Sequence, residues 1–125
     1  MAKPTLWCLT ALALMLGAGV TQAEDVRWDA QGAASLVFTI ASQSEHEACS
    51  RLASGERVVW AFVAQGPVDF TLRDARTRQV VGGATRSAVR EARDALDVPR
   101  AQRVCWVWVN RGAADTQVSL QLRKR

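Results

Sequence analysis

The chain has 125 residues and a formal net charge of +4, from 16 lysines and arginines against 12 aspartates and glutamates. This length excludes a multidomain architecture and leaves room for one small hydrophobic core. The excess of positive charge is too small to indicate a nucleic-acid partner.

The first 23 residues have the organisation of a secretory signal peptide. Lys3 supplies a short positive region, Leu6–Val20 is an apolar run, and Thr21 and Ala23 are small residues at the positions that a signal peptidase reads. A membrane anchor is the alternative, but the apolar run is short for a bilayer span and no positive flank follows it. We therefore expect cleavage after Ala23 and one exported domain over residues 24–125, periplasmic or secreted, without a transmembrane anchor.

The cysteines support export. Cleavage would remove Cys8 and leave Cys49 and Cys105 in the domain. Two cysteines in a small exported domain most often form one disulfide. The alternative, a redox or metal-binding pair, lacks the C-x-x-C spacing that such sites use. We predict a disulfide between Cys49 and Cys105.

A histidine between two glutamates precedes the first of these cysteines and raises the question of a metal site. His46 and Cys49 are three residues apart, with Glu45 and Glu47 beside the histidine. A disulfide would remove the thiolate, and two glutamates do not complete a soft-metal site. We expect a solvated loop here, and no metal or other cofactor.

Short runs of alternating apolar residues recur along the domain, separated by turns that contain glycine, proline or aspartate. They predict strands at residues 26–28, 35–41, 57–64, 68–74, 79–81, 103–110 and 116–122. Gln65, Gly66 and Pro67 separate two of these runs and predict a tight antiparallel hairpin. Residues 42–54 are polar, and we expect a loop or a single helical turn there.

Residues 84–97 carry competing signals. Val89, Ala92 and Leu96 fit a helical stripe, whereas Leu96 and Val98 fit one edge strand. Helix and strand both stay open, and we expect this segment to be the least regular and most mobile part of the domain.

Residues 103–110, RVCWVWVN, are the most strand-like run in the sequence. In a strand, Trp106 and Trp108 lie on one face and Cys105 on the other. Tryptophans on the outside would form an apolar patch that needs a partner. Tryptophans on the inside would pack with Trp60 and place the disulfide on the outer face. We favour the second arrangement, because a small core needs large aromatic side chains.

The pattern as a whole predicts an all-β fold, a single antiparallel β-sandwich held by one disulfide. Its order also resembles the GOLD domain, the lumenal sandwich of eukaryotic cargo receptors. The matching residues are Cys49, Leu52, Gly55, the run Val68-Asp69-Phe70-Thr71-Leu72, Cys105-Trp106, Asn110 and the run Val118-Ser119-Leu120. The resemblance covers about two-thirds of the chain. It implies a jelly-roll-like sandwich, a bonded cysteine pair and a role in binding.

The trafficking role of GOLD proteins does not carry over, because we expect no transmembrane helix, coiled coil or cytoplasmic tail here. Pre-peptidase C-terminal domains of exported bacterial proteins are similar sandwiches and match equally well at the level of fold. Fold resemblance alone does not identify a function.

Residues 73–103 contain eight arginines against four acidic residues. This charge fits an acidic protein or an anionic envelope component, and a solvated face with local ion pairs is the alternative. Together with the tryptophans, if those are exposed, the candidate binding residues are Arg73, Arg76, Arg78, Arg86, Arg90, Trp106 and Trp108.

The sequence contains no recognisable catalytic constellation. His46 is the only histidine, and no serine lies in a nucleophile-elbow context. We therefore expect a non-catalytic binding or accessory protein of the cell envelope, whose partner is a protein or an envelope component. Two alternatives stay open: a small inhibitor or scaffold for a secreted enzyme, and a hydrolase that uses His46. Neither the ligand nor the oligomeric state follows from the sequence.

Overall fold

A computed structural model describes residues 21–125 as seven β-strands. The strands are β1 (Thr21–Asp25), β2 (Ala33–Ile40), β3 (Ser44–Leu52), β4 (Arg57–Asp74), β5 (Val80–Asp97), β6 (Gln102–Asn110) and β7 (Thr116–Lys124). No helix in this range has the length and apolarity that a membrane span requires. Residues 1–20 of the predicted signal peptide lie outside the described residues. Thr21–Ala23, which the predicted cleavage would also remove, begin β1.

The seven strands form one curled sheet, in the order β1-β3-β6-β4-β7-β2, with β5 paired to the other edge of β4. Every pair is antiparallel except β1 with β3. The sheet curls far enough for Phe38 of β2 to stack on His46 of β3, with ring centroids 3.8 Å apart. The predicted all-β fold is confirmed, as one continuous curled sheet, whereas the β-sandwich and the jelly-roll order stay predictions.

The core fills the concave side of this sheet with aromatic rings. Trp60, Phe62, Phe70 and Trp108 contact one another at centroid distances of 4.9–6.3 Å, in tilted, stacked and edge-on arrangements. Such ring pairs add to the stabilisation that burial alone provides. Trp106 and Trp108 are both fully buried. They therefore belong to the core, as the favoured arrangement has it, and offer no exposed aromatic platform.

The predicted hairpin at Gln65–Pro67 is wrong, because β4 continues through these residues as one strand of 18 residues. The amide of Gly66 donates a hydrogen bond to Thr116 Oγ1 at 2.8 Å, and a register shift against β5 occurs between Val63 and Val68. Glycine and proline here produce a bend with a β-bulge, which is their usual role inside a strand. The first half of β4 then pairs with β7 and the second half with β6.

Two other predicted boundaries are also wrong. Residues 42–54 contain strand β3 instead of a loop, and residues 26–28 follow β1 without being a strand themselves. Four polar residues of β3 are buried, and their side chains have partners: Ser44, His46, Glu47 and Ser50. Ser50 Oγ, for example, accepts a hydrogen bond from Trp28 Nε1 at 2.8 Å. A buried polar strand of this kind is stable only because other elements satisfy its side chains.

Residues 84–97 are strand, and they belong to β5, an 18-residue edge strand paired along β4. The strand predicted at residues 79–81 and the segment left open between helix and strand are therefore one strand, with Gly82 and Gly83 both at positive φ. Only Ala84 and Leu96 of β5 are buried. This exposure explains the weak apolar signal of the segment.

The predicted disulfide is confirmed. Cys49 and Cys105 are direct partners across β3 and β6, and their sulfurs are bonded. They lie on the convex face of the sheet with Val107, separate from the aromatic core. The outer-face position agrees with the prediction, although a neighbouring strand takes the place of the expected loop.

Candidate functional site: an arginine-lined cleft

A cleft of about 500 Å³ opens at the end of the sheet where β3 ends and β6 begins, between the β4–β5 and β5–β6 turns. We call it the arginine cleft, because four of the eight residues that line it are arginines. The lining residues are Arg51, Asp74, Ala75, Arg76, Arg100, Ala101, Gln102 and Arg103.

Two of these arginines are placed side by side by the strand register. Because Cys49 faces Cys105 across the antiparallel β3–β6 pair, Arg51 faces Arg103 two residues further along. Like charges directly opposite each other destabilise a sheet. Arg103 donates to Asp25 Oδ1 at 2.6 Å, and no ion pair of Arg51 exists among the described residues. Only one of these two positive charges is therefore neutralised by an acidic partner.

The acid of the cleft is Asp74, whose oxygens are already occupied. Its Oδ1 accepts hydrogen bonds from the backbone amides of Arg76 and Thr77 at 2.8 and 2.9 Å, and its Oδ2 accepts one from Gln102 Nε2 at 3.1 Å. The amides of Thr77 and Arg76 hold the pKa of the Asp74 carboxyl below its usual range. The carboxylate therefore shapes the turn that carries Arg76 and has little capacity left for the arginine side chains.

The cleft can bind an anion, but its lining offers no chemistry of its own. Arg76 and Arg100 are exposed, and neither forms an ion pair within residues 21–125. Asp74 is the one lining residue whose side chain could act as a nucleophile or general base, and its two oxygens already accept three hydrogen bonds. Guanidinium groups suit carboxylate and phosphate oxygens, which they bind in pairs.

The five arginines selected from the sequence do not all lie together in the structure. Arg76 lines the cleft, whereas Arg78 donates to both carboxylate oxygens of Glu47 at 3.0 Å, and this bond raises the pKa of Arg78. Arg86 pairs with an aspartate on its own strand, Arg73 lies half-buried on the convex face, and Arg90 is exposed on β5. These five residues do not form one surface.

Three residues of the cleft are missing from the sequence-based selection: Arg51, Arg100 and Arg103. Arg51 lies two residues after Cys49, and Arg103 lies two residues before Cys105. A disulfide between directly opposite residues of antiparallel strands would bring this pair together. The sequence therefore contained the spacing that predicts the Arg51–Arg103 pair. To use it, residues 42–54 had to be recognised as a strand.

His46 is in no position to act as an exposed base. Its ring is 5% exposed, stacks on Phe38, and its Nε2 lies 2.6 Å from Glu24 Oε2. Its neighbour Glu47 is close to both cysteine sulfurs, within 4.8 Å. Those sulfurs are bonded to each other and offer no thiolate.

Comparison with solved structures identifies proteins of the same fold. The PliG protein of Aeromonas hydrophila, a periplasmic inhibitor of g-type lysozyme, superposes with a TM-score of 0.69 over 86% of this chain and 100% of its own, at 11% identity. PliG of Salmonella Typhimurium gives a TM-score of 0.64 over 83% of this chain and 98% of its own, at 14% identity.

The pre-peptidase C-terminal domain of a collagenase from Bacillus anthracis has a TM-score of 0.55 over 85% of this chain and 97% of its own, at 8% identity. The predicted fold resemblance to this domain is confirmed, and the resemblance to GOLD domains stays a prediction. No protein-family model and no curated protein sequence matches the chain. These likenesses establish the fold that the chain shares with periplasmic lysozyme inhibitors and with a domain of a collagenase.

Proposed function

We propose that this protein is an exported, non-catalytic inhibitor that binds a secreted enzyme of the g-type lysozyme class. The observation that supports the proposal most strongly is the extent of the likeness to PliG. It spans the entire length of the Aeromonas hydrophila inhibitor and 86% of this chain. The fold likeness therefore involves a complete inhibitor and not a shared fragment.

Compartment and stability are consistent with this function. A predicted signal peptide and a disulfide between the two remaining cysteines both suit the periplasm, where disulfides persist. An inhibitor also needs a rigid surface, because prior rigidity reduces the entropy lost on binding. The continuous sheet and its buried aromatic core provide that rigidity.

The broader interpretation, an accessory protein of the cell envelope, is supported by the likeness to the pre-peptidase C-terminal domain. That likeness has the lower TM-score, and the domain is part of a larger secreted enzyme. The comparisons therefore favour the inhibitor alternative over the general accessory role.

The direct test is an inhibition assay with the protein purified from the periplasm after export. Lysis of a bacterial cell-wall suspension by a g-type lysozyme is followed as turbidity while the protein is titrated in. We expect inhibition that saturates at a fixed molar ratio, and a complex of the two proteins on size-exclusion chromatography. A c-type lysozyme is the control. Full lysis at a tenfold molar excess of the protein would refute the proposal.

A further inference from the structure

We propose that the arginine cleft is the surface through which the protein holds its enzyme, and that it takes carboxylate side chains of the partner. This inference rests on the proposed function and adds the binding surface and the partner chemistry to it. The cleft residues that carry the inference are Arg51, Arg76, Arg100 and Arg103.

The first argument is the contrast with cationic residues elsewhere on the protein. Five of the eleven in residues 21–125 lie against acids: Arg57 with Asp97, Arg78 with Glu47, Arg86 with Asp94, Arg111 with Asp69, and Lys124 with Glu56. The other six are spread over several strands and do not line the cleft: Arg27, Arg73, Arg90, Arg93, Arg123 and Arg125. In the cleft, Arg103 has the exposed Asp25, and the other three arginines have no ion pair among the described residues. Four guanidinium groups thus share one concave surface with little compensation.

The second argument is the energetic cost of this arrangement. Arg51 and Arg103 are cross-strand neighbours of like charge, which the sheet tolerates at some loss of stability. The negative charge of Asp74 offsets part of the positive charge of the cleft, but backbone amides and Gln102 occupy its oxygens, and it forms no ion pair with Arg51 or Arg103. A carboxylate supplied by a partner would lie between two guanidinium forks and would accept paired hydrogen bonds from them. The unfavourable pair in the free protein thereby becomes a source of affinity in the complex.

The third argument is the chemistry of the partner. Glycoside hydrolases of the lysozyme type commonly cleave their substrate with a pair of carboxylic side chains in an open cleft. A concave, cationic surface is complementary to such a site, and opposite charge accelerates association and determines orientation. The cleft places four guanidinium groups, one of them in an ion pair, at one end of the described protein, where two turns could also reach into a cleft of the partner.

The test compares two double substitutions that change the net charge equally. Arg51→Glu with Arg100→Glu reverses charge in the cleft. Arg90→Glu with Arg93→Glu does so on exposed residues of β5, outside the cleft lining. We expect the cleft variant to raise the inhibition constant for g-type lysozyme about 30-fold or more, as loss of a central contact does. The β5 variant should stay within about threefold of the wild type, as contacts outside the centre of an interface do.

Folding and chemistry are checked separately. Arg51 and Arg100 are exposed, so thermal unfolding of the cleft variant should match that of the wild type within a few degrees, as surface changes do. Replacing the same two arginines with lysine keeps the charge but removes the paired donors, and should give an intermediate loss.

The outcomes distinguish the two proposals. Absence of inhibition by the wild type refutes the proposed function and this inference with it. Wild-type inhibition that both double variants retain refutes this inference alone. An equal loss in both variants assigns the effect to net charge and also refutes it. If the cleft variant loses binding to lipopolysaccharide vesicles but keeps inhibition, the cleft serves an anionic polymer and the inference is wrong.

Discussion

Asp74 shows how one buried carboxylate can organise the binding surface that it lines. It accepts two backbone amides and one side-chain amide, and so sets the path of the turn after β4. The same turn continues to Arg78, whose positive φ of 64° is stabilised by its amide, which donates to the Asp74 carbonyl at 2.9 Å. The position of Arg76 in the cleft therefore depends on the ionised state of a neighbouring residue.

The charge on Asp74 predicts a pH dependence of stability. Because the backbone amides of Thr77 and Arg76 lower its pKa from 3.8, the folded state favours the carboxylate form. The resulting stabilisation is present above the unfolded pKa and is lost as the pH falls through the lower folded value. We expect the free energy of unfolding to decrease as the pH falls below about 4. In Asp74→Asn, the slope of this free energy against pH should be smaller, by at most the contribution of one bound proton. Denaturant unfolding at pH 2–7 measures both.

Asp29 provides a comparison variant for this experiment. Backbone amides of Ala33 and Gln31 lower the pKa of its carboxyl, in a turn that is separate from the cleft. Asp29→Asn should reduce the acid slope in the same sense, and the two effects should add because the residues share no partner. Equal slopes for the wild type and Asp74→Asn would contradict the prediction.

At the scale of the strands, the sequence predicts the apolar elements well and the polar ones poorly. Strands β6 and β7 are confirmed nearly to the residue, because β6 contains an unbroken apolar run and β7 alternates apolar and polar side chains without interruption. Strand β3 shows no such alternation, since His46, Glu47 and Ser50 are buried. Their partners, Glu24, Arg78 and Trp28, come from other parts of the chain, and no local pattern could reveal them.

Strand β4 presents a different difficulty. Its inward residues keep the same parity through Gly66 and Pro67, from Trp60 to Phe70. A hairpin and a bulged continuous strand therefore predict the same buried residues. What separates them is pairing with distant strands, including the hydrogen bond from Gly66 to Thr116. Local turn propensity gives no information about such partners.

Strand β5 leads to a prediction about hydrogen exchange. Residues 84–97 pair with β4 on one edge only, so amides directed at β4 alternate with amides directed at solvent. We expect slow and fast exchange to alternate along β5, in place of uniformly early exchange. The amide of Ala88, at a bulge with positive φ, donates to Asp69 Oδ1 at 2.9 Å and should also exchange slowly. Amide exchange measured by NMR tests each position, with β6 as the protected reference.

Two outcomes would contradict this prediction. Uniformly early exchange throughout β5 would mean that the edge strand opens as a unit and that the segment is mobile after all. Uniformly strong protection would mean that its outer edge is covered, for example by a second molecule. Either pattern is readily distinguished from alternation.

At the scale of the molecule, fold class and cysteine pairing could be predicted from the sequence, because each rests on composition or on uninterrupted periodicity. The arginine cleft could not. It joins the end of β3, the turn after β4 and the start of β6, which are distant in sequence. Only the pairing of Cys49 with Cys105 links the first of these regions to the last, and it also brings Arg51 opposite Arg103.

This arrangement raises the question of what the disulfide contributes. The two cysteines are 56 residues apart in sequence, so the bond restricts a long loop in the unfolded chain. On the chain-entropy model, its loss costs roughly 4 kcal/mol, a large share of the stability of a small domain. The strand register has a second determinant, because a slip by one residue would turn the buried Trp106 and Trp108 outward.

We therefore predict that replacing Cys49 and Cys105 together with alanine lowers stability but preserves the fold. The melting temperature should fall by about 15–30 °C. Well below that temperature, tryptophan emission should keep the blue-shifted maximum of buried indoles, and inhibition of the lysozyme should persist, because the aromatic core still holds Arg51 opposite Arg103. Thermal unfolding, fluorescence and the turbidity assay measure the three effects. A red-shifted native spectrum would show that the disulfide, and not the core, sets the register that builds the cleft.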